Sequence, residues 1–265
     1  MLSSNPTGPT TPIPTTGASE TVTTLSLAEV LRTLGLQHAA SLLDAATAKA
    51  ITRNDSPTLL LDQLMREELR VQLEKRAQTA LKRSAIFPLT TLDSFDFDYP
   101  KTIDRDLVMR ATTLDFIRDK ANCVFVGPSG VGKTHLANAI GQLACLRSFR
   151  VRFTTAADLV NDLVAAQARN GLHRRLALWA APDLLLVDEL GYLNFDARGA
   201  DLLYQIFNRR YQRASTIVTT NLPFKEWGKL FHNSAAASAI ADRLVHKGLL
   251  IRITGKSRRS DQEIV

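Results

Sequence analysis

Cysteine is nearly absent: Cys123 and Cys145 are the only two, and their spacing is not that of a metal site. This excludes a disulfide scaffold and fits a reducing compartment. Aromatic residues make up only 6% of the chain, and no apolar run approaches the roughly 18 residues of a membrane span. The run Leu184 to Val187 is short and bracketed by Asp183 and Asp188. The first arginine is Arg32, and no basic cluster with an apolar stretch behind it opens the chain. Neither a secretory signal nor a transit peptide is read, and a cytoplasmic protein without a membrane partner is expected. What is present is ordinary for a globular protein: 265 residues, 45% hydrophobic and 22% charged. That composition excludes collagen and wholesale disorder and leaves a core for one large or two small domains. The net charge of +7 makes a polyanionic partner plausible on electrostatic grounds but says nothing of fold.

Along the chain, residues 1–24 form a separate block, with Pro6, Pro9, Pro12, Pro14, many Thr and Ser, and one charge at Glu20. Such a segment buries too little apolar surface to offset its ordering entropy, so it reads as a disordered leader. A helical domain is expected over 25–90. Ser26 and Glu29 have capping-box spacing, Gly35 marks a break, and a second helix covers Leu36 to Ala50. Ser56-Pro57 reads as a cap and first helical position of a third helix reaching about Arg83. One face of that helix carries Arg66, Arg70, Lys75, Arg76, Lys82 and Arg83 against Glu67, Glu68 and Glu74, making it a candidate nucleic-acid surface. After a linker with Phe95, Phe97 and Tyr99, Asp104 is expected to cap a helix through about Asp119. Short β-rich runs then alternate with helices: Cys123–Val126, Val151–Thr154, Leu184–Asp188, Thr216–Thr220 and Leu249–Ile253. This alternation predicts an α/β domain over 91–255, a parallel sheet of five strands covered on both faces, with a basic tail at 256–265.

Gly127-Pro128-Ser129-Gly130-Val131-Gly132-Lys133-Thr134 is a complete P-loop between a strand and a helix. Glycines let the backbone turn several N–H groups toward phosphate oxygens, and the helix N-terminus adds its partial positive charge. Lys133 is placed for the β- and γ-phosphates, and the Thr134 hydroxyl for Mg²⁺. The apolar strand Leu184–Val187 ends in Asp188-Glu189, 55 residues after the lysine. Asp188 is expected to hold the Mg²⁺ shell and Glu189 to act as general base on water. A third strand ends in Thr219-Thr220-Asn221, where Asn221 is expected to orient that water or sense the γ-phosphate. No Asn-Lys-x-Asp guanine-specificity segment occurs, and water-activating carboxylates disfavour a small-molecule kinase.

These motifs, together with Ser215 to Pro223, Trp227 and the segment Ile240-Ala241-Asp242-Arg243-Leu244-Val245-His246, resemble the IstB-like proteins over about residues 25–256. These are AAA+ helper ATPases of insertion-sequence transposons, related to the DnaC helicase loaders and DnaA initiators. The resemblance implies strand order 5-1-4-3-2, ATP/ADP and Mg²⁺ as ligands, and no complete C-terminal lid. It implies that Arg243 is an arginine finger acting on a neighbouring subunit's nucleotide, and that Phe95 or Phe97 lies over adenine. It further implies homo-oligomers (ring or helical filament) on duplex DNA without sequence reading, and a transposase partner. Arg209, Arg210 and Arg213, with Arg252, Lys256, Arg258 and Arg259, are further candidate phosphate contacts. A helicase loader and a non-hydrolysing nucleotide-gated assembly module remain open alternatives.

Overall fold

The computed structural model describes residues 25–99, 102–192, 195–231, 234–255 and 257. The Pro/Thr-rich leader, and Lys256, Arg258 and Arg259 of the basic tail, lie outside these residues. The chain divides into two compact units, with the boundary between Lys75 and Arg76.

The first unit is helical. Helix α1 (Leu27–Thr33) opens with the capping box that Ser26 and Glu29 predict: Ser26 Oγ accepts from Glu29 N at 3.3 Å, and Glu29 Oε2 accepts from Ser26 N at 2.8 Å. Gly35 turns the chain at φ 80° into α2 (Gln37–Arg53). The start of α2 has no cap of its own. Glu68, only 4% exposed on α3 (Pro57–Ser84), supplies it by accepting from Ala39 N at 2.7 Å.

The second unit is an α/β layer structure. Its elements are β1 (Thr102–Ile103), α4 (Arg105–Thr112), α5 (Asp115–Arg118), β2 (Cys123–Val126), α6 (Lys133–Leu146), β3 (Val151–Thr155), α7 (Ala156–Ala168), α8 (Leu172–Ala180), β4 (Leu184–Asp188), α9 (Ala197–Arg210), β5 (Ser215–Thr220), α10 (Trp227–Leu230), α11 (Ser234–Val245) and β6 (Leu249–Thr254). The strand order is β1-β6-β2-β5-β4-β3. The five strands read from the sequence are parallel neighbours, Cys123 of β2 facing both Ile217 and Leu249. The expected five-stranded sheet is extended to six by β1, which pairs antiparallel with β6 through Thr102 and Thr254. Two residues carry no alternation, so no sequence period announces them. The helix expected from Asp104 to Asp119 is in fact two. Asp104 caps α4 as predicted, but Leu114 adopts φ 63° and buries its side chain, breaking the run before α5.

Successive strand residues point to opposite faces, and each face has its own core. Val124, Leu185, Val187 and Val218 pack with Leu163, Leu203, Ile206 and Trp227. Cys123, Phe125, Leu184, Leu186 and Ile217 pack with Leu136, Ile140 and Ile117. Burial on both faces is why these strands read as continuous apolar runs. Parallel pairing also brings the C-terminal tips of β2, β4 and β5 to one edge, where open α/β sheets bind ligands. No described helix is long and apolar enough to cross a membrane.

Candidate nucleotide site

The loop after β2 is shaped by close approaches that only glycine tolerates. At Gly127 a Cβ would stand 2.1 Å from the carbonyl oxygen of Ile253 on β6. Gly132, at φ 90°, has the Phe95 ring edge where a Cβ would come within 2.5 Å. Gly132 is also the residue preceding α6 and brings no side chain to cap it, so the first N–H groups of α6 are left for a ligand. Lys133 begins that helix. It is 7% exposed, and its Nζ donates to the carbonyls of Gly127 at 2.8 Å and Pro128 at 2.6 Å. The ammonium is thus held inside the loop.

The tip of β4 meets this loop. Thr134 Oγ1 donates to both Asp188 oxygens, at 2.9 and 3.1 Å, and Thr219 of β5 donates to Asp188 Oδ1 as well. Asp188 is buried. Its carboxylate and the Thr134 hydroxyl form an adjacent pair of hard oxygen donors, the set Mg²⁺ prefers. Glu189 follows at φ 59°, left-handed backbone uncommon for a residue with a side chain, and exposes its carboxylate. Asn221, just beyond β5, has its Oδ1 buried with no hydrogen-bond partner among the described residues. A polar atom left so is a mark of functional sites.

Ser129, Lys133, Thr134, Glu189 and Asn221 line one cavity of about 350 Å³, and Asp188 lies behind it in contact with Thr134. Pro88, Thr90, His135 and Asn138 close another side. The linker that brings Pro88 and Thr90 there is tied down along α6. Gln142 Nε2 donates to Thr90 O at 2.7 Å, and Asn138 Nδ2 to Pro88 O at 3.2 Å. Sequence reasoning named Phe95 and Phe97 in this linker and missed Pro88 and Thr90. Phe95 packs edge-on to His135 and Phe97, supporting the loop from beneath Gly132, and Phe97 carries the Arg105 guanidinium 5.0 Å above its ring. Tyr192 was also missed. Its hydroxyl lies 2.5 Å from Ser129 Oγ across the mouth of the cavity.

Arg243 is not brought to this cavity. Its guanidinium donates to Tyr204 OH at 3.0 Å, Asn208 Oδ1 at 3.1 Å and Ala239 O at 2.8 Å, and lies over the Tyr204 and Tyr211 rings.

Among the candidate DNA contacts, Arg210 is corrected outright. It is 1% exposed, and its fork donates to Thr216 Oγ1 and to the carbonyls of Trp179, Ala180, Pro182 and Ser215. It caps the end of α8 from within the core, beyond reach of any phosphate. Burial lowers its pKa to about 9, with Asp183 opposing, so it stays charged at neutral pH. Arg66 pairs with Asp62 at 2.7 Å, and Arg70 with Glu67 and Glu74, each at 2.9 Å. Lys75, Arg76, Lys82, Arg83, Arg213 and Arg252 are exposed, and Arg209 is half-buried.

Comparison with known proteins finds relatives named as ATP-binding proteins. Residues 29–264 match the family described as IstB-like ATP binding protein. The chain is 38% identical over 210 residues to the ATP-binding protein of insertion sequence IS5376 from Geobacillus stearothermophilus, covering 79% of this chain and 84% of that one. It is 35% identical over 222 residues to the ATP-binding protein of insertion sequence IS21 from Pseudomonas aeruginosa, covering 84% and 82%. Among solved structures it is similar to AMPPCP-bound DnaA from Aquifex aeolicus, with 23% identity and a TM-score of 0.54, covering 64% of this chain and about half (51%) of that one. It is similar also to the DnaC helicase loader, with 21% identity and a TM-score of 0.50, covering 61% and 96%. At these identities the structural likeness is one of fold alone.

Proposed function

Because the chain belongs to the IstB-like ATP-binding protein family, we propose that it is a cytoplasmic AAA+ ATPase that assembles as a homo-oligomer on duplex DNA and assists a transposase. The observation that carries the enzymatic part is the convergence of Lys133, Thr134, Glu189 and Asn221 on one cavity at the sheet edge, with Asp188 hydrogen-bonded to Thr134 behind it.

The chemistry follows from those positions. The loop amides and the start of α6 hold the phosphates, and Lys133 exchanges its two carbonyl partners for β- and γ-oxygens. Thr134 and Asp188 would hold Mg²⁺, which would supply positive charge to the phosphate oxygens. Asn221, whose buried Oδ1 has no partner among the described residues, orients a water against the γ-phosphorus. Glu189 takes a proton from that water as the new O–P bond forms and the bond to the bridging oxygen breaks, releasing ADP and phosphate. Arg243 of a neighbouring copy stabilises the charge on the transferring group, so each site is complete only in an assembly. Exposed cations such as Lys82, Arg83 and Arg252 bind backbone phosphates, giving salt-sensitive affinity without base reading. The insertion-sequence relatives supply the transposase context.

The test is ATP turnover and particle mass with and without duplex DNA, on wild type, Lys133→Ala and Glu189→Gln. Wild type is expected to gain mass with ATP and DNA and to hydrolyse. Glu189→Gln should assemble without turnover, and Lys133→Ala should do neither. Equal turnover in wild type and Glu189→Gln removes the enzyme, and unchanged mass and DNA affinity on adding ATP remove the assembly.

A further inference from the structure

We infer that Thr219 is the positioning residue of this site, the single group that sets both acidic residues of the β4 tip in place. The inference rests on the reading of Asp188 as a cation holder and Glu189 as the base, and deepens it.

The register of the sheet explains why such a residue is needed. The β4–β5 ladder ends with Val187 opposite Val218, while Asp188 still pairs with Thr155 of β3, and beyond Asp188 the β4 backbone leaves the strand. Glu189 turns to φ 59°, a conformation that residues with side chains hold only when their surroundings impose it. Asp188, the last residue of β4, and the two residues that follow it are all held by Thr219. Its carbonyl accepts from Leu190 N at 2.9 Å, and its hydroxyl oxygen accepts from Glu189 N at 3.0 Å. Its one hydroxyl hydrogen goes to Asp188 Oδ1. A hydroxyl has one donor and two acceptor positions, so both roles are served at once. At 2% exposure, no bulk water competes for either bond.

Two consequences follow for the chemistry. The amide bond to Thr219 fixes the backbone from which the Glu189 carboxylate projects, and hence its distance to a water on the γ-phosphate. The hydroxyl bond holds Asp188 Oδ1 and fixes the carboxylate's rotation, and with it the side that Asp188 and Thr134, here hydrogen-bonded to each other, would turn to a cation. Valine at 219 would keep the shape and β-branching but could neither donate nor accept, whereas serine would keep both bonds.

The experiment compares wild type, Thr219→Val, Thr219→Ser and Glu189→Gln as full chains. Hydrolysis is measured at saturating ATP and Mg²⁺ with duplex DNA, and affinity for a fluorescent ATP analogue is measured across Mg²⁺ concentrations and in EDTA. Thr219→Val is expected to lower kcat about tenfold to hundredfold, the loss that goes with a hydrogen bond to a charged partner. Its nucleotide affinity in EDTA should stay within about twofold, while the Mg²⁺ needed for half-maximal binding rises about threefold or more. Thr219→Ser should restore both to within about threefold. Wild-type behaviour of Thr219→Val in both readouts, or equal impairment of Thr219→Ser, overturns the inference. If Glu189→Gln hydrolyses like wild type, the reading of Glu189 fails by itself. The Mg²⁺ titration then still decides Thr219, because it needs no turnover, and an unshifted midpoint overturns the inference. Should Thr219→Val lose its thermal unfolding transition, the same comparison is made between Thr219→Ser and Thr219→Cys, whose thiol is a weak donor.

Discussion

Replacing Arg210 with methionine keeps the length of the side chain and its apolar stem but removes a guanidinium that serves five acceptors. Four of these are backbone carbonyls, three of them just where α8 ends and the chain turns into β4. In the variant they lie at a site that was 1% exposed and have lost their donors. Stranding the partners of a buried, hydrogen-bonded charge costs about 3–5 kcal/mol. Some of that returns, because methionine does not carry a charge into the core, so the low end, about 3 kcal/mol, is the expectation. For a domain of this size about 1 kcal/mol moves Tm by about 2–4 °C, giving a fall of about 6–12 °C. Arg210→Lys should lie between the two, since a lysine has three donors on a point charge in place of a planar fork. The assay is thermal unfolding of Arg210→Met beside Arg209→Ala, whose half-buried side chain is expected to shift Tm by no more than about 1–2 °C. DNA affinity of the folded variants, measured across salt concentrations, supplies the second reading. Arg210→Met should keep the wild-type slope of log affinity against log salt, because no phosphate contact has been removed. A Tm within about 2 °C of wild type, or a shallower salt slope, would refute the assignment of Arg210 as an internal brace.

Three further outcomes are expected. Gly132→Ala places a methyl group 2.5 Å from the Phe95 ring at φ 90°, so nucleotide affinity should fall at least tenfold with a stability loss of about 1–3 kcal/mol; calorimetric titration with ATP checks it, and wild-type affinity would contradict the loop geometry. Arg243→Ala should bind nucleotide normally yet lose turnover by about 10³-fold, and mixing it with Glu189→Gln, which still assembles, should recover activity, since each supplies what the other's site lacks. A mixture as inactive as its parts would exclude action in trans. The Arg150 hydrogen bond holds the Asp183 carboxyl below its usual value, opposed by burial. Because the folded pKa is the lower one, the stabilisation is full above about pH 4 and is lost as pH falls through the folded value. With Arg150 70% exposed it is worth about 0.5–1 kcal/mol, and urea midpoints of Asp183→Asn and wild type should converge in acid.

The parts of the molecule that could be read without coordinates are those whose cause is local. The Ser26–Glu29 cap, the Asp104 cap and the turn at Gly35 each need only residues three or four positions apart, and each forms as expected. The P-loop and the Asp-Glu strand end were readable for a different reason: phosphate and cation binding restrict residue type so narrowly that the pattern carries its own meaning. Thr219 was hidden because a threonine in Ser215–Thr220 reads as an ordinary β-branched strand former. Only the pairing of β5 with β4, across 31 positions of sequence, turns its hydroxyl into a support for Asp188. Pro88 and Thr90 were hidden by distance too, reaching the cavity through α6 residues some 50 positions away.

Sequence alone determined the chemistry this chain can attempt: residue identities at Lys133, Thr134, Asp188, Glu189 and Asn221, and apolar runs that build a parallel sheet beneath them. Tertiary structure decided which charges are available to do anything. Arg209 and Arg210 are neighbours with the same side chain, yet one is half-buried and the other braces the core. Arg243, read as part of the same machinery, stands on a different face, among Tyr204, Asn208 and Tyr211. An arginine's charge is intrinsic, but its partner is set by whichever carbonyls, carboxylates or phosphates the fold leaves within reach, and a linear pattern does not contain that distance.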